Sequence, residues 1–335
     1  MESVEKVPGL VDVAAAAGVS LSTVSRVITG RTPVSERART RVMDAIDRLG
    51  YRPNAAAQAL VSGKSSTVAV IAKNTLRWGY AATLQGIEEE ARAAGYAVMI
   101  AVVESSEPHE LARATDLVWS HSVAGAIVID FDAVGSATVA SLPHNIPVVA
   151  ASGARSGAVD RPHAYLDDLE GGRAATEYLL SLGHATVHHV AIPATSEHSG
   201  REWGWREALT GAGAQIPPVI RAGYNPGSGY EAARNLPSDA TAVLCGNDEL
   251  AIGVARFLQE SGLRIPDQVS VMGFDDQPFA AVWVPSLSTV RQDFVDLGRR
   301  TFGLLEGWIR SGEMTPDSTA SPEIVIREST APPPA

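Results

Sequence analysis

The stretch GVSLSTVSRVITG, residues 18–30, concentrates hydroxyls and one cation on a short segment. Ser20, Ser22, Thr23, Ser25 and Thr29 are interleaved with Leu21, Val24, Val27 and Ile28, and Arg26 is the single charge. The apolar spacing predicts a helix with one buried stripe. Hydroxyl residues compete for backbone hydrogen bonds and are mediocre helix formers, so their number on the other face asks for a use. Serine and threonine can bond base edges or phosphates, and arginine can bond guanine or phosphate. An ordinary solvated face is the competing reading.

Three other patterns invite chemistry. GSGYEA, with Gly227, Gly229 and Ala232, matches the dinucleotide fingerprint G-x-G-x-x-A and would suit an NAD-dependent enzyme. It follows Asn-Pro rather than the end of a long strand, which disfavours that reading against a plain helix start capped by Ser228. His184, His188 and His189 suggest a metal, but no carboxylate stands at ligand spacing. No G-x-S-x-G elbow occurs, so a hydrolase triad lacks its nucleophile. Cys245 is the sole cysteine, which leaves no internal disulfide and no cysteine cluster for zinc. The expectation is a protein without catalytic residues, metal or cofactor.

These residues need elements to position them. A helix over 10–17 should stop at Gly18, and Ser20 is placed to N-cap the next. Ser35 is placed to cap a third helix reaching Leu49, with Ala38, Val42, Ala45, Ile46 and Leu49 on one face and Gly50 after it. Two short helices about a glycine turn describe a helix-turn-helix, whose second helix enters the major groove. In YRPNAAAQALVSGKSS, Pro53 breaks the chain, Asn54 can cap, and residues 55–61 can make two helical turns. So short a helix forms only when something docks against it.

From Thr67 the texture changes. TVAVIA, AVMIAVV, AGAIVID, PVVAA, VHHVAI, TAVLCGN and VSVMGF read as short buried strands. Helical patterns over 82–94, 170–182, 200–212, 228–236, 248–262 and 294–310 separate them. The alternation indicates doubly wound parallel sheets in two α/β subdomains, with the ligand beyond the carboxyl ends of the strands.

The net charge of −11 argues against nucleic acid until its distribution is read. Residues 1–64 hold nine Lys or Arg and six acids, whereas the remainder carries 18 basic and 32 acidic residues. A basic head on an acidic body suggests that the head meets an anion. No apolar run reaches the ~18 residues of a membrane span. Glu2, Glu5 and Asp12 spoil a signal peptide, so a cytoplasmic protein with no membrane partner is expected.

The run LVDVAAAAGVSLSTVSRVITGRTPVSERARTRVMDAIDRLGYRPNAAAQAL resembles the head of LacI-family transcriptional repressors almost end to end. LSLGH, REWGW, AVLCGND, VSVMGFDD and VPSLSTVRQDF continue the resemblance in order to about Glu328. It implies a periplasmic-binding-protein-like type I body with three crossover strands, and a homodimer. Leu21, Ser22 and Arg26 fall at base-reading positions, and Thr23, Ser25 and Thr29 at phosphate-holding ones. Leu60 falls where the family wedges a leucine into the central minor-groove step. Asn54 and Ala57 accompany it on the hinge helix. Thr29 replaces the usual asparagine and Gln58 the usual arginine, which bears on operator preference. In the body, Arg201, Asn247, Asp275, Tyr224 and Tyr80 fall at effector positions, with Trp78 as a neighbour. Asp130, ending a strand, either lines the same cleft or caps it. Amide, charged and aromatic groups together suit a sugar, while a nucleobase also fits.

The expected layout is a DNA-binding domain over 1–52, hinge and linker over 53–65, and an effector and dimerisation domain over 66–328. Its N-subdomain takes about 66–162 plus 291–320 and its C-subdomain about 163–290 plus 321–328. A disordered tail over 329–335 has no leucine heptads, so a dimer rather than a tetramer is expected. The function so read is an effector-controlled repressor on a pseudo-palindromic double-stranded operator. A transporter's solute-binding protein and, further off, an NAD-dependent enzyme are the alternatives.

Overall fold

The computed structural model describes residues 8–29, 33–52, 65–154, 161–193, 200–314 and 316–334, without the Thr29 side chain. The chain divides into two compact units, Met1–Ser66 and Thr67–Ala335. The hinge residues Asn54, Ala57, Gln58 and Leu60 lie outside the described residues.

The first unit holds α1 (Leu10–Ala17), α2 (Leu21–Thr29) and α3 (Glu36–Leu49). Gly18 (φ 60°) and Gly50 (φ 62°) adopt the left-handed conformation that lets α1 and α3 end where they do. The chain bends by 105° between α1 and α2. Val13, Val24, Val27, Val42 and Ala45 close a small core beneath Tyr51. Ser20 caps α2, its Oγ accepting the Thr23 N–H at 3.2 Å. Ser35 makes no side-chain cap to α3, contrary to expectation; its carbonyl instead accepts from Ala38 and Arg39.

The second unit runs β1 (Thr67–Ala72), α4 (Trp78–Ala93), β2 (Ala97–Val102), α5 (Pro108–Ser120), β3 (Gly125–Asp130), α6 (Ala133–Ser141), β4 (Val148–Ser152) and β5 (His163–Leu166). It continues through α7 (Asp168–Ser181), β6 (His188–Ala191), α8 (Gly200–Gly211), β7 (Ile220–Arg221), α9 (Pro226–Ala233), β8 (Ala242–Cys245), α10 (Asp248–Glu260) and β9 (Ser270–Met272). Last come β10 (Thr289–Arg291), α11 (Phe294–Ser311), β11 (Ser318–Ala320) and β12 (Glu323–Val325). One parallel sheet has the order β11-β5-β4-β3-β1-β2, another β7-β6-β8-β9, and β10 pairs antiparallel with β12. The central strands are buried on both faces, which is why they read as unbroken apolar runs. The chain passes between the sheets after β5, after β10 and after β11, the three crossovers that the resemblance implies.

Two boundaries differ from the sequence reading. His163–Leu166 pairs with β4 and β11, so the N-subdomain extends through Leu166 rather than ending at 162. The tail is docked, not frayed, over its described part. Ser329 is buried, its Oγ donating to the Val271 carbonyl at 2.6 Å, and the Ala331 N–H donates to Ser270 Oγ at 3.0 Å. His184 bonds to Ala331 O, Ser270 and Thr241 and so clasps this segment. A proline-rich end looked unable to pack because its partners lie far away in sequence.

Helix pairs meet on reciprocal glycines. A Cβ on Gly172 of α7 would stand 2.2 Å from the Arg201 carbonyl, and one on Gly204 of α8 would stand 1.9 Å from that of Leu169. Gly86 and Gly298 serve α4 and α11 in the same way, and Gly229 and Gly253 serve α9 and α10. GSGYEA is therefore a helix-packing segment. Its cap is Asn225, whose Oδ1 accepts the Ser228 N–H at 2.9 Å, rather than Ser228. The α7–α8 contact brings the first residues of both helices together, and those residues face the site.

Candidate functional site: a helix-turn-helix face and a ligand cleft

On α2, Val24 and Val27 are buried while Leu21 is 48% exposed, so Leu21 leaves the apolar stripe to which its spacing assigned it. Ser22 and Arg26 are exposed, and Thr23 and Ser25 are half-buried. The Ser22 and Thr23 hydroxyls bond to Ser20 Oγ at 2.9 and 2.8 Å. One face thus presents an aliphatic side chain, hydroxyls and a guanidinium to solvent. Two arginines that sequence reasoning passed over tie the turn: Arg41 donates to Gly18 O and Arg48 to Ala16 O. They satisfy carbonyls at the end of α1 and favour its negative pole.

In the second unit, a cavity of about 420 Å³ lies at the carboxyl ends of both parallel sheets. Tyr80, Asp130, Arg201, Tyr224, Asn247 and Asp275 all line it, and so does Trp78. Each is delivered by a strand end or helix start. Asp130 closes β3, Asn247 and Asp275 follow β8 and β9, and Arg201 opens α8.

Most of these groups are already bonded. Asn247 accepts the Leu250 N–H as N-cap of α10 and donates to the Tyr224 carbonyl at 3.0 Å. Tyr80 donates its hydroxyl to Asp132 Oδ2 at 2.7 Å; burial and that carboxylate push its pKa up. Tyr224 lies under the Arg77 guanidinium, 3.8 Å from the ring centroid. Phe131 stands edge-on to both Tyr80 and Phe294, at 5.2 and 5.7 Å between centroids, and gives the cavity an aromatic wall.

Arg201 is the centre. Its Nε donates to Asp168 Oδ2 at 3.1 Å, Nη1 donates to the Gly246 carbonyl, and Nη2 lies 3.0 Å from Asp275 Oδ1. Its plane covers the Phe274 ring at 4.0 Å. Burial opposes its charge, and the two carboxylates more than restore it. Asp275 Oδ1 forms a close ion pair with Arg201 Nη2, its only side-chain partner among the described residues. Asp275 also holds φ at 106°, a strained value for a side chain of this size and common at ligand sites. Burial pushes its pKa up to about 7 against the pull of Arg201. Asp130 accepts from Ser136 Oγ at 2.7 Å, and burial pushes it up to about 6.

Asp168, Gln292 and Arg77 were not found from the sequence. Asp168 takes the Gln292 amide as well as Arg201, and its own N–H donates to the Gly153 carbonyl at 3.0 Å. It so joins α7, the loop after β4 and the crossover before α11. Its only signal was a second aspartate at a helix start, which reads as a cap. Of the three histidines, His189 lines the cavity, buried and neutral, with its pKa lowered to about 4. Its Nδ1 bonds the Leu244 carbonyl and its ring stacks on Trp205.

A helix-turn-helix unit, followed in the same chain by a two-sheet body with a ligand-sized cleft, defines a DNA-binding regulator with a small-molecule domain. Comparisons with known proteins agree. Residues 9–54 match the model for bacterial regulatory proteins of the lacI family, and residues 176–330 match the periplasmic binding protein-like domain. The HTH-type transcriptional repressor PurR of Erwinia tasmaniensis is 31% identical over 332 residues, 96% of each chain. The lac repressor dimer bound to operator and the anti-inducer ONPF superimposes with a TM-score of 0.87 at 28% identity, covering 97% of this chain and 100% of that one. The transcriptional regulator CelR–cellobiose complex gives 0.71 at 29% identity, covering 96% and 99%. The chain belongs to the LacI family and is a DNA-binding transcriptional repressor. Its relatives are transcriptional regulators, not enzymes. Among the described residues, no single helix is long and apolar enough to cross a membrane.

Proposed function

We propose that this repressor acts in the cytoplasm as a homodimer on a pseudo-palindromic double-stranded operator, and that a sugar or sugar derivative sets its operator affinity. The observation that carries this is the cavity, where aromatic walls and hydrogen-bonding groups converge at the strand ends. Rings cover the C–H faces of a polyhydroxyl ligand while carboxylates and amides meet its hydroxyls. The related CelR was solved with cellobiose and the lac repressor dimer on its operator, which favours the same roles here. A heterocycle is less well served, because Arg77 already covers one face of Tyr224. Self-association is supported by the edge strand β2, which leaves Ile100 and Val102 about half exposed, and by Val282 and Val284, which are more exposed still.

On α2, Leu21, Ser22 and Arg26 read bases while Thr23, Ser25 and Thr29 hold phosphates. The segment containing Asn54, Ala57 and Leu60 folds on DNA, with Leu60 wedging the central step. The effector controls this by binding two body states unequally. Operator titration at several salt concentrations, using the promoter regions of this gene and its neighbours, tests the reading. Affinity should fall steeply with salt, as for about six to ten phosphate contacts. Arg26→Ala should lower affinity and relax base preference by about 1–3 kcal/mol, and Leu60→Ala should abolish the bend. Binding indifferent to both substitutions would refute these assignments.

A further inference from the structure

Among the described residues the cleft is lined by more acidic than basic side chains, and its central cation is spent. Asp130, Asp168, Glu202, Glu249 and Asp275 line it against Arg77 and Arg201. Arg201 is shared between two of those carboxylates and a carbonyl. Glu202 is balanced by Arg221 and Arg206, which do not line the cavity. Lys73 sits 4.0 Å from Asp132, and the Arg77 guanidinium lies flat on Tyr224. Asp275 is buried in the cavity wall with Oδ1 3.0 Å from Arg201 Nη2, so the guanidinium already meets a carboxyl group on each of two sides.

We propose that the cleft takes an uncharged polyhydroxyl ligand and excludes its phosphorylated or carboxylated counterparts, with Asp168 setting that selectivity by neutralising Arg201. This rests on the cleft being the effector site. An anionic ligand would have to displace Asp168 or Asp275 from the guanidinium, leaving a buried carboxylate without its cation, or else sit beside both carboxylates. In a partly desolvated cleft either cost is large, because charge interactions at a few ångströms are weakly screened. Asp168→Asn keeps the shape and the Gln292 contact while releasing half of the guanidinium's charge.

Two measurements test this on the full-length protein. The first needs no known effector: quenching of Trp78 fluorescence by caesium and by iodide, isolated by subtracting Trp78→Phe and normalised to free N-acetyltryptophanamide. Caesium should quench preferentially. Asp168→Asn, and separately the half-buried Glu249→Gln, should shift the ratio toward iodide more than Glu313→Gln on the exposed surface does. Equal or preferential iodide quenching in the wild type, or an equal shift from Glu313→Gln, overturns the proposal. The second is calorimetry with matched pairs: ribose and ribose 5-phosphate, glucose and glucose 6-phosphate, cellobiose and cellobionate. An uncharged member that binds should do so at least about tenfold more tightly than its anionic partner, and Asp168→Asn should narrow that gap. An anionic member binding as tightly as its partner overturns the proposal. If caesium is favoured yet no sugar of either kind binds, the polyhydroxyl reading fails while the exclusion of anions stands.

Discussion

The two recognition surfaces spend their polar groups differently. On α2 the proposed reading side chains Ser22 and Arg26 are exposed, and the Ser22 hydroxyl bonds to the neighbouring cap Ser20. In the cleft nearly every polar group is bonded before any ligand arrives: Asn247 at both ends, Tyr80 to Asp132, Arg201 on three sides. A solvated face can exchange partners at little cost, so altering it should change binding and leave stability alone. A buried network is part of the core, so altering it should change both. In the lower dielectric of the cleft, satisfied groups are held rigidly and orphaned ones are expensive.

The largest effect should come from Arg201→Ala. Sequence reasoning expects only a lost ligand bond, worth roughly 1–3 kcal/mol. The structure adds a second cost, since Asp168 and Asp275 would lose their common cation while buried. Breaking a buried pair from one side costs about 3–5 kcal/mol. Urea denaturation followed by a body tryptophan should show that loss, whereas Arg26→Ala should leave the curve in place. An Arg201→Ala body as stable as the wild type would mean that the cleft is as loosely held as the head.

A smaller effect sharpens the comparison inside the cleft. Burial pushes the Asp275 pKa up to about 7 against the pull of Arg201, so between about pH 4 and pH 7 the folded chain holds this proton more tightly than the unfolded chain does. Its contribution is present in acid and lost as the pH rises from about 4 to about 7. His189 is held neutral by burial, with its pKa lowered to about 4. Its contribution is present above about pH 6.5 and lost as the pH falls toward 4. The two oppose each other in the same window. Relative to wild type, Asp275→Asn should therefore look better at pH 8 than at pH 5, and His189→Gln better at pH 5 than at pH 8. Each difference should be on the order of 2 kcal/mol in paired denaturation curves. Shifts of the same sign would refute the assignment of one group or the other.

How much of this was legible beforehand follows the same division. The head is local: Gly18, Ser20 and Gly50 punctuate helices a few residues away, and their roles could be read directly. In the body, long buried strands such as β1, β3 and β4 announced themselves as apolar runs. Short strands did not. Ile220–Arg221 and Ser318–Ala320 have too few residues for any pattern and exist because a sheet edge accepts them. α5 and α6 were missed because the first is polar over much of its length and the second is built of small residues. The family resemblance pointed to five residues and a strand end offered Asp130, and all six line the cavity. It could not locate Asp168, whose partners Arg201 and Gln292 are 33 and 124 residues away. Nor could it foresee that Asn247 is consumed at both ends by the backbone, since a cap and a ligand contact call for the same side chain.

The smallest effect tests whether the head is as modular as its short-range bonding implies. Ser20 accepts the Thr23 N–H and bonds the Ser22 and Thr23 hydroxyls, so it is both the cap of α2 and the anchor of one proposed base reader and one proposed phosphate contact. Replacing a serine cap with alanine typically costs about 1 kcal/mol. The loss should be confined to the first unit, because these bonds stay within four residues and the core they support is the small cluster around Val13, Val24 and Val42. Hydrogen exchange of full-length Ser20→Ala, read by mass spectrometry, should show amides of 21–29 exchanging about fivefold faster, with α7 and α8 unchanged. Operator affinity should fall by a similar factor, since α2 must be re-formed before it reads DNA. Ligand binding in the cleft should be untouched. Slower folding of the body, or lost protection at α7 and α8, would show that the head's local bonds support more than the head.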